Sequence, residues 1–224
     1  MSAQKIKVII TGVTGMVGEG TLHISLQHPS IENVLVINRT PCEVAHPKLT
    51  EIIHNNFFDL SSIEEQLTGY DACFFCLGVS SVGMKEPEYF KMTHTLTLHV
   101  AETLCRRNPG MTFCYISGAS TDSSEKGSSM WARVKGKTEN DLMKLPFKKV
   151  YAFRPGFIRP IAGMKRTNPF YKYINWMFPL GRALFPKGFC TLPELATAMI
   201  TATLYAYDKN IIEGKDIIEL GKGR

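Results

Sequence analysis

A chain of 224 residues lies near the upper end of what one hydrophobic core organises. Hydrophobic residues make up 44% and charged residues 21%, which excludes a disordered chain and supports a substantial core. Lysine and arginine exceed aspartate and glutamate by 26 to 20, but the surplus is scattered in pairs such as Arg106-Arg107, Lys148-Lys149 and Lys165-Arg166. That scatter does not make a nucleic-acid or membrane surface. The six cysteines, at 42, 73, 76, 105, 114 and 190, follow no disulfide framework, and four lie in apolar strand or helix patterns. Reduced core thiols and a cytoplasmic home are expected. Cys73 and Cys76 form a C-x-x-C string, yet positions i and i+3 of an extended strand point to opposite faces, so no metal site is expected there. The N-terminal MSAQKIKVII runs into a short strand without a signal-type apolar region, and no stretch reaches the ~18 apolar residues of a membrane span.

In chain order, strand-length apolar runs fall at Lys7–Ile10, Val34–Asn38, Glu51–Asn55, Ala72–Leu77, Thr112–Ser117 and Val150–Arg154. Between them lie helical periods at Val17–Gln27, Ser61–Leu67, Pro87–Arg107 and Ser129–Leu145. The third has an apolar stripe at Phe90, Leu96, Leu98, Ala101 and Leu104 and stops at Asn108-Pro109-Gly110. This alternation predicts an α/β chain, a Rossmann-type doubly wound parallel sheet with helices on both faces and a small C-terminal lobe. After Arg154 the composition changes: residues 157–190 are rich in proline, glycine and aromatics, and are expected to form a small cap, substrate or interface segment of a single domain, 1–224. Phe170, Tyr171, Tyr173, Trp176, Met177 and Phe178 in that segment either line a pocket or pack as a helix stripe. A helix at Pro193–Tyr205 and a last short strand at Asp216–Leu220 complete the pattern.

The first strand ends in TGVTGMVGEG, which sets Gly12, Gly15 and Gly18 as G-x-x-G-x-x-G between a strand and a helix. Each glycine has its own physical reason: a tight turn, a close approach to a pyrophosphate, and space for the helix on the sheet, while the helix N-terminus offers amides to the anion. Gly15 is expected at the closest approach, with a positive φ as an added reason for glycine. Thr14, Met16 and Val17 complete the turn. Arg39 follows the second strand, where an acidic residue would hold a ribose 2′-hydroxyl and arginine suits a 2′-phosphate, so NADP(H) is expected over NAD(H). Asp59, with Leu60, is placed either beside the adenine amine or as the cap of the next helix. Leu77-Gly78 ends the fourth strand, where a glycine lets the nicotinamide side of a cofactor lie against backbone.

These pieces, with the strand YISGAS, the helix segment WARVKGKTEN and Arg154-Pro155-Gly156, resemble the short-chain dehydrogenase/reductase superfamily in its atypical and extended branches, the NAD(P)-binding epimerase-like and Tat-interacting oxidoreductase-like proteins. The resemblance covers nearly the whole chain. It implies a serine, a tyrosine and a lysine that move the proton while the nicotinamide exchanges hydride, the last two as Y-x-x-x-K on one helix face. Lys135 matches the lysine, expected on the ribose, and Ser117 is preferred over Ser120 for the serine. Trp131 stands at the tyrosine position, and indole exchanges no proton at working pH. Tyr115 and Tyr151 fall in strand patterns and serve the core. Pro155 and Gly156 match the turn whose backbone approaches the nicotinamide amide. Two functions remain open: an NADP(H)-dependent oxidoreductase or epimerase-like enzyme acting on a small molecule, or a non-catalytic nucleotide-binding redox sensor that works through a protein partner or as a homo-oligomer.

Overall fold

A computed structural model describes residues 5–164 and 178–223. Its centre is a seven-stranded sheet built from β1 (Ile6–Thr11), β2 (Ile31–Asn38), β3 (Leu49–Ile53), β4 (Ala72–Phe75), β5 (Thr112–Ile116), β6 (Lys149–Arg154) and β9 (Ile211–Glu213). The order is β3-β2-β1-β4-β5-β6-β9, and every adjacent pair is parallel. Strand order reverses direction between β1 and β4, so the ligand crevice of a doubly wound sheet opens outside the carboxyl ends of those two strands.

Period-two alternation divides the core. Val8 and Ile10 of β1, Phe74 of β4 and Phe153 of β6 point to one layer, built with α1 (Met16–Gln27), α6 (Leu192–Tyr205) and α7 (Gly214–Leu220). Ile9, Leu35, Phe75 and Phe113 point to the other, covered by α3 (Leu96–Arg107) and α4 (Met130–Leu142). Cys73 is buried in the second layer while Cys76 packs against the first, with Sγ 3.8 Å from Thr21 Oγ1. All six cysteines are free thiols. In the first layer an added Cβ on Gly20 would lie 2.1 Å from a Leu192 side-chain carbon, so α1 and α6 touch almost backbone to side chain.

Four expected elements differ. The chain at Ser61–Leu67 closes only into a 3-10 turn, Glu64–Leu67, through i to i+3 bonds from Ile63 N to Leu60 O and Gln66 N to Ile63 O. The helix expected over 87–107 is α2 (Glu86–Phe90), a π-helical turn at Lys91–Thr95 and α3 in succession. The last strand is not Asp216–Leu220. Ile211 and Ile212 take the edge of β6 instead, and 214–220 is helical because Ile217 and Leu220, three apart, share one buried face. α4 stops at Leu142 rather than Leu145, ahead of Pro146.

The described parts of 157–190 form β7 (Phe157–Arg159) paired in parallel with β8 (Phe189–Thr191), α5 (Phe178–Leu184) and a 3-10 turn at Pro186–Gly188. Phe157, Phe178 and Phe189 cluster with ring centroids 5.6 to 6.2 Å apart. Phe170, Tyr171, Tyr173, Trp176 and Met177 lie outside the described residues.

Candidate functional site

The glycine turn sits at the crevice the topology predicts. Gly12 takes φ +73, and an added Cβ would stand 2.7 Å from the backbone of Cys76 and Leu77, so the turn after β1 presses on the end of β4. On Gly18 a Cβ would lie 2.2 Å from the Gly12 carbonyl oxygen, which requires glycine for packing alone. Gly15 differs from both: it is exposed, and the nearest atom to an added Cβ is the Gly12 oxygen at 3.4 Å. Its φ of −108 and ψ of 162 are ordinary extended values, so the positive φ belongs to Gly12 and not to Gly15. Open space at the N-cap of a twelve-residue helix, whose first amides have no intrahelical acceptor, fits a pyrophosphate. Met16 and Val17 turn their partly buried side chains to the core, leaving only backbone for a ligand.

Beyond β2, Arg39 is exposed and makes no ion pair among the described residues. It lines a cavity of about 100 Å³ with Phe58, Leu77, Gly78, Val79 and Met92. Asn38 beside it is buried and donates to Glu51 Oε1 at 2.9 Å, an acceptor shared with the Cys42 amide at 2.8 Å. Asp59 does not line this cavity; its Oδ1 accepts from the Ser61 amide at 3.0 Å, and the Ser61 hydroxyl and amide hold its carboxyl below the usual range. This is a local side-chain turn and not a helix cap, because the 3-10 turn begins only at Glu64 with Ile63 as its N-cap. Leu60 is buried in the core.

The residues expected at the reaction end come from β5, the loop after it and α4. Trp131, one turn before Lys135, lies beside Gly118: a Cβ there would be 3.7 Å from Trp131 Cζ3. Lys135 Nζ donates to the carbonyl oxygens of Ser117 at 3.1 Å and Ile116 at 3.3 Å, and lies 5.5 Å from the Tyr115 ring centroid. Burial pulls its ammonium down to about 8, opposed by Glu139 one turn on. Ser117 is buried, and its hydroxyl is 2.9 Å from Thr121 Oγ1. Because Thr121 donates its one proton to Gly118 O at 2.8 Å, Ser117 is the donor of that bond and presents lone pairs to the site. Ser120 faces a different cleft and takes φ +67. Tyr115 and Tyr151 are fully buried, the latter receiving the Tyr207 amide at 2.8 Å.

Residues missed in the sequence hold this end in place. Arg154 Nε donates to both carboxylate oxygens of Glu139 at 3.1 Å, a buried pair that ties β6 to the helix of Lys135. Glu139 lies four residues after Lys135, so its place on the same helix face was readable. Thr121 lies in an irregular loop where no periodicity marks it. The Pro155 carbonyl is taken by the Ala119 amide at 2.8 Å, and a Cβ on Gly156 would lie 2.3 Å from the Gly188 carbonyl oxygen. That glycine is needed for packing of the 186–188 turn.

The chain belongs to the NAD dependent epimerase/dehydratase family, which matches residues 8–137. It is 32% identical over 238 residues to the protein fmp52-1, mitochondrial, of Aspergillus terreus, covering 96% of this chain and 98% of the relative. The protein fmp52, mitochondrial, of Aspergillus niger is 25% identical over 240 residues, with 97% of this chain and 99% of the relative covered. Among solved structures, a UDP-N-acetylglucosamine 4-epimerase from Methanobrevibacter ruminantium in complex with UDP-N-acetylmuramic acid superposes with a TM-score of 0.66 at 16% identity, covering 96% of this chain and 81% of that one. A short chain dehydrogenase family protein from Francisella tularensis gives 0.64 at 15%, covering 95% and 98%. The Bordetella bronchiseptica enzyme WbmF in complex with NAD+ gives 0.64 at 17%, covering 99% and 78%. The family, NAD dependent by its description, supports a nicotinamide cofactor, and these neighbours share the fold.

The curated relatives are named as mitochondrial proteins, which overturns the cytoplasmic expectation. Cysteine usage separates oxidising from reducing compartments only, and an organelle address is read by receptors rather than through core composition.

Proposed function

We propose that the protein binds NADP(H) in preference to NAD(H) and acts as an oxidoreductase of the short-chain dehydrogenase/reductase type on a small molecule, with Trp131 in the place of the usual tyrosine. The observation that carries the cofactor choice is Arg39, an arginine with no counter-charge among the described residues at the mouth of the cavity beyond β2. Gly12, Thr14, Gly15 and Gly18 would hold the pyrophosphate and Lys135 the second ribose, while Leu77 and Gly78, expected on the nicotinamide side, line the Arg39 cavity and would join Phe58 on the adenosine side. A bound nicotinamide supplies or accepts hydride. The chain's own groups govern the proton. Ser117 offers lone pairs, so it receives a hydroxyl or orients a water rather than donating to a carbonyl. Lys135, down to about 8, is the group in this cluster that exchanges a proton near neutral pH. The described parts of 157–190 supply the outer wall as a cap on the same domain.

A second reading is a nucleotide-binding sensor without turnover. Its support is that the reaction end is satisfied internally: Ser117 is bonded to Thr121, and Lys135 to two main-chain carbonyls. Leu180, Leu184 and Phe185, exposed at 60 to 67%, are the apolar surface a protein partner would use. Trp131→Tyr separates the two. NADPH oxidation is followed with a panel of aldehydes, ketones and quinones, beside calorimetric nucleotide binding. A positioned acid contributes ~10² to 10⁴ in rate, so the enzyme reading expects slow wild-type turnover and a faster variant. Tight nucleotide binding with no turnover in either protein favours the sensor. Wild-type turnover of ordinary speed that ignores Trp131 substitution would place the acid on another residue.

A further inference from the structure

A second cleft, of about 350 Å³, opens beside β6 and β9, and its walls include Ser120, Arg154, Lys187, Lys209, Glu213 and Lys215. Its charges are unevenly committed. Asp216 accepts from the Tyr207 hydroxyl and Lys209 Nζ, each at 2.7 Å, and Glu213 lies 3.7 Å from Arg154 Nη1. Arg154 is buried on Glu139. Lys187 and Lys215 are exposed and make no ion pair or hydrogen bond among the described residues. The carboxylates are thus paired and two ammonium groups are not.

The backbone around those lysines is tightly constrained. An added Cβ on Gly214 would fall 1.6 Å from the Lys187 carbonyl oxygen, so the 186–188 turn is pressed onto the start of α7, and residues 187 and 215 are brought to one rim. Across from them Ser120 takes φ +67, a left-handed conformation that non-glycine residues rarely adopt. Ser120 makes no hydrogen bond among the described residues. Two unpaired ammonium groups and a free hydroxyl converge from three separate stretches of chain.

We propose that this cleft binds the phosphoryl group of a phosphorylated small molecule, with Lys187 and Lys215 neutralising the dianion and Ser120 donating a hydrogen bond. Lysine suits a phosphate as a mobile point charge with three donors. Ser120 lies three residues after Ser117, in the loop that carries the reaction end, so the phosphoryl group marks the substrate. That last clause rests on the oxidoreductase reading; anion binding itself does not.

The test uses the full chain with inorganic phosphate as probe, read by phosphorus NMR line broadening and by calorimetry. Because phosphate also fits the glycine turn, it is repeated in Gly15→Val. Phosphate binding is expected to survive in Gly15→Val and to weaken by about tenfold for each of Lys187→Gln and Lys215→Gln, as for loss of one charged hydrogen bond. Ser120→Ala should weaken it less. NADP(H) affinity is expected to stay unchanged in both lysine variants, which separates failure here from failure of the nucleotide assignment. Succinate should compete weakly, since a carboxylate carries one charge per group. Phosphate binding that is absent in the wild type, that vanishes in Gly15→Val, or that is untouched in the double lysine variant overturns the proposal.

Discussion

The two ends of the crevice are built on different terms. At the adenosine end the side chain that matters, Arg39, has no partner among the described residues, and the turn leaves open space over Gly15. At the reaction end the polar groups already have theirs: Ser117 has Thr121, Lys135 has two carbonyls, and Arg154 has Glu139. A ligand at the first end gains new bonds, whereas one at the second must exchange bonds that exist. Affinity should therefore concentrate at the adenosine end, and substitutions at the reaction end should trade stability against chemistry.

The largest test of that contrast is at the turn itself. Gly15→Val should abolish binding of both nucleotides, by roughly 100-fold or more for two lost charge-assisted bonds, while far-UV circular dichroism and melting stay near native. Gly18→Ala should instead cost about 3 kcal/mol of stability, because its Cβ would meet the Gly12 carbonyl at 2.2 Å. Thermal melts beside calorimetry decide it, and nucleotide binding intact in folded Gly15→Val would move the pyrophosphate elsewhere.

Next in size is Arg39→Ala, which should remove a preference for NADP(H) of about 1.5 to 3 kcal/mol and leave NAD(H) affinity alone. Equal affinities of the wild type for the two nucleotides would break the assignment.

At the other end, Lys135 links binding to pH. Its free ammonium sits at about 8, and the negative charge of a bound nucleotide favours the charged form, so binding takes up a proton above that pH. Affinity should be flat below pH 8 and fall by on the order of tenfold per unit shift above it. Lys135→Ala should bind weakly with no such dependence. The fold responds oppositely: the nucleotide-free protein releases this proton near 8, the unfolded chain only near 10.5, so stability rises between those values. A wild-type affinity that does not change between pH 7 and 9 would remove Lys135 from the ribose.

The smallest effect is expected for Thr121→Val. Losing the acceptor of Ser117 should cost about 1 kcal/mol and free the serine proton to face the site. Any weak carbonyl reduction should then rise, and a fall would show that Ser117 works as an acceptor.

What the sequence made legible follows the same division. Gly12 and Gly18 could be read because backbone contacts so close admit no side chain, and the alternating apolar runs assigned strands to both layers. The shape of Asp216–Leu220 misled because D-I-I-E-L satisfies strand and helix patterns equally over five residues, and only the sheet edge, filled by Ile211 and Ile212, decides between them. Thr121 and the Lys187–Gly214 contact were invisible for another reason: both join segments distant in sequence or irregular in form, and no local spacing encodes them.

The contact of Gly12 with Cys76 and Leu77 has a mechanical consequence. With their backbones wedged together, the first turn and the end of β4 have no slack between them, so neither can open without displacing the other. Their amides should therefore exchange with deuterium as one cooperative unit, and a nucleotide held by the turn should slow exchange at Leu77-Gly78 as much as at Gly12-Val13, across a gap of more than sixty residues in sequence.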